Sequence, residues 1–267
     1  MKFFLLLFSL VAVITPVTAE TIQEHGKRTI DEAVAALGGE AFLNMADRIE
    51  TGRAYSFYRE ELSGLSIARI YTRYLTRPEP PVPDYIGVRE RQTFGKNEES
   101  GAVLFADGQG FEVSFRGARP IPDKTLERYK ESTLRNIFYI LRQRLGEPGL
   151  IFEYRGTDVI ENQSADIVDI TDATNRIVTV YFGQITHVPF KQVTVRRDPE
   201  TKLQIEEVTR FAKYRDVGGV MWPYDIQRER NGEKIYQMYS DSVAINRDLK
   251  DDLFMLPSNM KILKKQK

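Results

Sequence analysis
The chain contains no cysteine, and that absence excludes a good deal. Disulfides, a thiol nucleophile, thiolate metal sites and a lipid anchor on a modified N-terminal Cys are all ruled out. Histidine, the commonest acid or base at neutral pH, is nearly absent too, with only His25 and His187 present. His25 lies in a polar stretch and His187 sits near Pro189 in an expected strand, so surface or packing roles are expected for both. No Gly-x-Ser-x-Gly elbow, His-Glu-x-x-His or phosphate-loop pattern occurs. Nor is there an excess of either charge: 38 basic residues face 38 acidic ones, whereas a nucleic-acid binder normally carries a marked basic excess. No apolar run approaches the roughly 20 residues that a membrane helix needs. The adjacent carboxylates Asp251 and Asp252 read as a solvated turn rather than a hard-cation site. No metal and no other cofactor is expected.

The N-terminus carries the most direct signal. Met1-Lys2 is followed by an apolar run from Phe3 to Ile14 and then by Pro16-Val17-Thr18-Ala19. A short basic start, a hydrophobic core of this length and small residues at −3 and −1 read as a cleavable secretory signal. Cleavage is expected after Ala19, leaving residues 20–267 as one domain in the periplasm. At the other end Lys261, Lys264, Lys265 and Lys267 form a basic tail, read as a solvated terminus.

Between these ends the pattern is a short helix, many strands, one inserted helix and more strands. Thr29 to Leu37 is rich in helix formers, with Thr29 as the expected cap and Gly38-Gly39 as the stop. From Ile49 onward the period is two, as in Ala54–Tyr58, Ile67–Tyr74 and Phe111–Phe115, which is how half-buried antiparallel strands read. Pro78, Pro80, Pro81 and Pro83 forbid a central strand there and predict an exposed loop. Residues 124–145 break the β pattern: Leu126, Tyr129, Leu134, Ile137, Phe138, Leu141 and Leu145 form one apolar stripe. Asp123 is the expected N-cap, with Gly146 and Pro148 the stop. Turn signals then recur, ending with Asn231-Gly232, a favoured type I′ pair. About ten or eleven strands at this spacing predict a mainly β (α+β) single domain, a meander closing into a barrel or a strongly curved sheet.

A curved sheet has a concave face that must be covered, and an inserted amphipathic helix is a natural cover. If it fits loosely, the space beneath suits acyl chains. The candidate lining residues are Tyr55, Phe57, Ile70, Tyr74, Phe111 and Phe115 on strands, with Ile137, Phe138 and Leu141 facing down from the helix. The plainer reading makes the same residues ordinary core.

Short motifs then add a resemblance. Asp198-Pro199-Glu200-Thr201-Lys202-Leu203, Gly218-Gly219-Val220-Met221-Trp222-Pro223-Tyr224-Asp225-Ile226, and Val243-Ala244-Ile245-Asn246 followed by Asp251-Asp252-Leu253-Phe254-Met255-Leu256-Pro257 resemble the C-terminal third of LolA/LolB-like periplasmic lipoprotein carriers. Ala35–Gly39 with Ile49–Gly52 resembles the opening helix and first strand of that superfamily. The resemblance implies a half-open antiparallel β-barrel covered by helices, with a hydrophobic cavity that receives acyl chains of a lipoprotein or another lipid. It transfers fold and ligand class, and no residue by role.

Three functional readings follow. The first is a non-enzymatic periplasmic carrier or binding protein for lipid-modified proteins or other apolar ligands, a monomer that binds no nucleic acid and does not span the membrane. The second is an envelope scaffold with a filled core, for which Arg and Tyr residues on strands would suit an interface. The third is a hydrolase with a carboxylate pair assembled in three dimensions, for which no spacing speaks.

Overall fold
The computed structural model describes residues 19–80, 82, 84–95, 101–198 and 201–265. The expected signal segment, apart from Ala19, lies outside the described residues, as do Pro81, Pro83 and Lys267.

Thirteen strands form one sheet, rather than ten or eleven. The N-terminal half comprises β1 (Asp47–Tyr58), β2 (Glu61–Tyr74), β3 (Val88–Phe94), β4 (Ala102–Ala106), β5 (Gln109–Ser114) and β6 (Gly117–Pro120). The C-terminal half comprises β7 (Ile151–Ile160), β8 (Gln163–Thr171), β9 (Ile177–Gly183), β10 (Pro189–Arg197), β11 (Gln204–Val217), β12 (Val220–Arg230) and β13 (Glu233–Ile245). The surplus over expectation comes from strands such as β4 and β6, which at five and four residues are too short to display a period. The spatial order is β6-β5-β4-β3-β2-β1-β13-β12-β11-β10-β9-β8-β7. Each half is thus a meander, β1 against β13 is the seam between them, and β6 and β7 are the two ends of an open sheet.

Helix α1 (Ile22–Ala36) starts earlier than expected. Thr21 caps it: its hydroxyl accepts from Glu24 N, and the Glu24 carboxylate accepts from Thr21 N, a reciprocal capping box. Thr29 instead lies inside the helix with its hydroxyl donating to His25 O. The stop is as expected, with Gly38 and Gly39 at φ +122° and +55°. The helix seats on β7 through Gly26, where an added Cβ would lie 2.5 Å from the Phe152 carbonyl oxygen. Gly26→Ala is therefore expected to cost about 1–3 kcal/mol by overpacking, despite the better intrinsic helix propensity of Ala. A thermal melt that shows stabilisation instead would disprove this seating.

The expected helix 124–145 is two pieces. Helix α3 spans Asp123–Leu134, with Pro122 rather than Asp123 at the N-cap position. It ends at Arg135-Asn136, and α4 (Ile137–Tyr139) then runs into a π turn, Ile140–Arg144. The break has two local causes. Asn136 Oδ1 accepts from Phe138 N and Tyr139 N, capping a new helix. From β10, Gln192 Oε1 accepts from Ile137 N while its Nε2 donates to Arg135 O, so the interrupted backbone is satisfied from outside.

This second piece is a plug. Ile137, Phe138, Ile140 and Leu141 are buried with Ile30, Ala33 and Leu37 of α1, Phe42 of the short helix α2 (Glu40–Leu43), and Val168, Val180, Phe211 and Trp222 of the sheet. Its polar side chains fasten everything nearby. Arg142 donates twice to Met45 O, and Gln143 donates to Leu75 O and Gly87 O. Arg144 donates to Leu134 O, Glu147 and Asp172. The proline segment between β2 and β3 is held at both ends by these bonds.

A second cluster lies on the other side of the sheet. The segment after β13, including the short 3-10 turn Asp251–Phe254, puts Leu249, Leu253, Phe254 and Leu256 against Tyr71, Leu104 and Phe111. Asp251 is held by Arg73 and Arg89 at 2.9 and 3.0 Å. The tail does more than hang in solvent: Ala118 N donates to Lys261 O and Leu263 N to Ala118 O, a parallel bridge along the outer edge of β6. Lys265 pairs with Asp123 at the start of α3. Among the described residues no helix is long and apolar enough to cross a membrane.

Candidate functional site
Register and packing divide the candidate residues between the two faces of the sheet. Tyr74 packs with Val88, Leu134 and Tyr139, and Phe105 stacks on Tyr129 of α3 at 3.6 Å. The face that carries them faces the helical insert, and α3 reaches from Phe105 on β4 to Arg228 on β12 and to Arg176 before β9. The sheet therefore curls around α3, and this face is the inner one.

Following the register, Glu50, Ile70, Gln92, Val103, Glu112 and Arg119 form one cross-strand row on the inner face. The neighbouring row holds Arg48, Thr72, Glu90 and Phe105. Towards the β1–β2 hairpin the inner face becomes apolar, with Ala54, Ala68 and Met238 buried and Ile70 and Tyr236 packed on them. Tyr55 pairs with Leu65 and Gln237 on the opposite, outer face, and lies 5.8 Å edge-on to Tyr239. Phe111 is also on the outer face, under the C-terminal segment. Phe57 is half-buried beneath Lys234, and Phe115 is 85 % exposed in the β5–β6 turn. Ile137, Phe138 and Leu141 are closed inside the plug. Of the nine residues, the structure places Ile70 and Tyr74 on the inner face, Tyr74 against Leu134 of α3 and Ile70 on the Ala54, Ala68 and Met238 cluster; it does not bring the whole set together.

The polar side chains beside Ile70 are the ones the sequence reading passed over. Arg48 stacks on the Trp222 ring at 4.0 Å, donates to Thr72 Oγ1 at 3.2 Å and faces Glu50 Oε2 at 3.6 Å. Glu50 is buried and accepts from Ser240 Oγ. Burial pushes the Glu90 carboxyl up; its bond from Gln92 and the nearby Arg48 act against that, and Glu50 adds to it. Burial likewise pushes the Tyr129 and Tyr236 hydroxyls up. Nothing in the sequence marked these groups, because a charged residue at period two on a strand reads as solvated. A cleft beside them, between α3 and the sheet and lined by Val88, Phe105, Leu126 and Tyr129, has room for about 10 Å³, one water rather than a chain.

No protein-family model matches the sequence, and no curated protein matches it. Solved structures do match the fold. A DUF1329 family protein from Desulfovibrio piger aligns with a TM-score of 0.57 at 11% identity, over 86% of this chain and 97% of that one. A domain from Vibrio parahaemolyticus described as outer-membrane lipoprotein-sorting aligns with a TM-score of 0.56 at 12% identity, over 87% and 97%. A LolA superfamily protein from Nitrosomonas europaea aligns with a TM-score of 0.50 at 11% identity, over 86% and 97%. The chain has a LolA-like fold. Within that LolA-like fold, the described inner face divides into the plugged C-terminal half and an N-terminal half whose floor is part apolar and part charged.

The two histidines stay outside this region. His25 stacks on Tyr154 at 3.6 Å, and His187, at φ +55°, lies 3.5 Å from Glu32.

Proposed function
We propose that the chain is an exported envelope protein that binds acylated proteins or other apolar ligands on the inner face of its sheet, as a carrier and not a catalyst. The observation that carries this reading is the different fastening of the two halves of the insert. The plug is fixed by buried side chains and by bonds to Met45, Leu75, Gly87 and Asp172. Helix α3, by contrast, is anchored at its C-terminal end, where Leu134 packs with Val88, Tyr139 and Tyr74 and its carbonyl accepts from Arg144, while its earlier turns are held by the Tyr129–Phe105 stack, one Ser132–Arg228 bond at 3.2 Å and the ion pairs of Glu131 and Asp123. The Asp123–Lys265 pair is exposed, and pairs of that kind contribute about 0–1 kcal/mol, so the first turns of α3 can lift while Leu134 and the plug stay. Ligand then enters beneath the lifted turns and runs onto the apolar floor formed by Ile70, Ala68 and Met238. The fold is shared with proteins named for lipoprotein sorting, the signal-like N-terminus fits export, and both support the periplasm as the site of action.

The filled core favours the scaffold reading, since the 10 Å³ cleft takes no chain while α3 is seated. The hydrolase reading needs a free carboxylate pair, whereas Glu50 is bonded by Ser240 and Glu90 by Gln92.

Native mass spectrometry of protein purified without detergent, together with uptake of a fluorescent fatty acid, tests the proposal. Ile70→Asp is expected to weaken uptake at least about tenfold, the cost of setting a charge against an apolar chain. Tyr55→Ser, on the outer face, is expected to leave it unchanged. A protein that neither retains nor takes up any acyl probe is a scaffold.

A further inference from the structure
A sheet edge is a row of backbone N–H and C=O groups without a neighbour, and native proteins cover or blunt such edges. Both ends of this sheet are protected. The C-terminal segment bonds along β6, where Ala118 exchanges bonds with Lys261 and Leu263. Helix α1 is seated on β7 at Phe152 and Tyr154. Beyond them that strand is bulged at Gly156, φ +109°, among the exposed Arg155, Thr157 and Asp158. A third edge is open among the described residues. Strand β2 begins at Glu61, but β3 pairs with it only from Ala68 onward, so residues 61–66 have β1 on one side and no strand on the other. The Ile67 carbonyl accepts from Gly95 N at 2.8 Å and so points to the β3 side. Backbone groups alternate in direction along a strand, so Leu65 N–H and C=O point the same way, past the end of β3. The side chains are as open as the backbone: Leu62, Leu65 and Ile67 are 56, 59 and 47 % exposed. Leu65 stands across from Tyr55 on the outer face, and Leu62 across from Phe57. Residues 61–67 contain no Lys and no Pro, the usual edge blockers.

We infer that residues 62–66 of β2 take an extended segment of another protein as an added strand, with an apolar residue of that segment beside Leu65 on the outer face. A lipid surface would cover the Leu62 and Leu65 side chains but leave Leu65 N–H and C=O unpaired in hydrocarbon, at a cost. A strand satisfies both. The hairpin turn sets the charge of the partner. Glu60 and Glu61 are exposed there and make no ion pair among the described residues, while Arg59 beside them lies over the Tyr58 ring. The added segment therefore carries Lys or Arg at the end nearest the turn. This surface lies on the opposite face from the acyl floor and does not depend on that floor being filled.

Amide exchange of the isotope-labelled protein, followed by NMR, tests it with three probes. The first is a peptide of about seven residues, an ordinary strand length, that alternates Thr and Val and ends in Lys-Lys. The second ends in Glu-Glu. The third is the Lys form with its backbone nitrogens methylated, which cannot donate to an edge. The Leu65 amide is expected to exchange freely in the protein alone and to slow at least about tenfold with the Lys peptide. The other two should protect it several-fold less. Leu65→Lys blocks the edge and should abolish protection at unchanged Tm, because the side chain it replaces is exposed. Glu60→Lys combined with Glu61→Lys should reverse the preference towards the Glu peptide. No protection by the Lys peptide, or equal protection by its methylated form, overturns the inference. Protection that is present in the protein alone and rises with its concentration assigns the edge to a second copy and overturns it too. So does protection by phosphatidylcholine–phosphatidylglycerol vesicles but by no peptide. Acyl-probe uptake is read separately, so failure here leaves the proposed function standing.

Discussion
Replacing Asp172 with Ala is expected to lower stability by about 3–5 kcal/mol, the range found when one partner of a buried ion pair is removed. For a chain of this size the melting temperature should fall by roughly 6–20 °C. The Asp172 side chain is 3 % exposed and the Arg144 side chain 4 %. The carboxylate accepts from Arg144 Nη2 at 2.8 Å, Arg176 Nη1 at 3.0 Å, Thr174 Oγ1 at 2.8 Å, and the backbone N–H groups of Thr174 and Arg176. Arg144 also closes onto Glu147, which Arg77 reaches from the proline segment, and Arg176 continues to Asp84 and Glu131. Without Asp172 two guanidinium groups lose their central partner, and the end of the plug comes loose from the β8–β9 turn. The pH dependence has a definite sign. Burial alone would raise this carboxyl, but the bonds from Arg144, Thr174 and Arg176 outweigh it and hold the group well below its usual value near 3.8. A depressed carboxyl stabilises fully above its unfolded pKa and loses that contribution as pH falls towards the folded one. The native protein should therefore lose stability progressively below about pH 4, and Asp172→Ala should lack that component. Thermal melts from pH 3 to 7 decide it; melting within about 2 °C of the parent at neutral pH would show the network to be ornamental.

Phe138→Ala is expected to cost a similar amount, about 3–5 kcal/mol. The Phe138 ring lies 5.0 Å from Phe211 and 4.9 Å from Trp222, and the residue is buried. Deleting it opens a hole between α4 and two central strands, β11 and β12, which are paired on both sides and have little freedom to close in. Urea unfolding measures the loss, and acyl-probe binding in the folded variant should be unaffected. A cost below about 1 kcal/mol would place Phe138 in a slack, ligand-facing position rather than in the core.

These residues also show what could be read in the chain and what could not. Period two announced the strands, and Asn231-Gly232, at φ +50° and +83°, made the hairpin its chemistry predicts. Ile245-Asn246, noticed only as part of a motif, turns out to be a structural joint: Asn246 Oδ1 accepts from Ala46 N, and Asp47 accepts from Arg247 and Leu249 N–H groups. Period two cannot say which side of a curved sheet is inner. Tyr55 and Phe111 alternate as regularly as Ile70, yet register and the C-terminal segment put them outside. The stripe over 124–145 was equally regular, and its break depends on Asn136 turning back on its own backbone and on Gln192 arriving from a strand 55 residues away. Such a contact leaves no local trace. Arg48 was hidden for the same reason, since it becomes a buried group only once Trp222 and Thr72 close around it.

The seam between β1 and β13 has a consequence for how the chain reaches this state. Ile49 pairs with Ala244, and Ala54 with Met238, so the first strand waits for the last. Loops of that span close slowly, and topologies built on them fold slowly. Until residue 245 has arrived, β1 offers a free hydrogen-bonding edge to any neighbouring chain. A newly made copy therefore passes through an interval in which self-association competes with completion, and the length of that interval is set by the position of β13 at the end of the sequence.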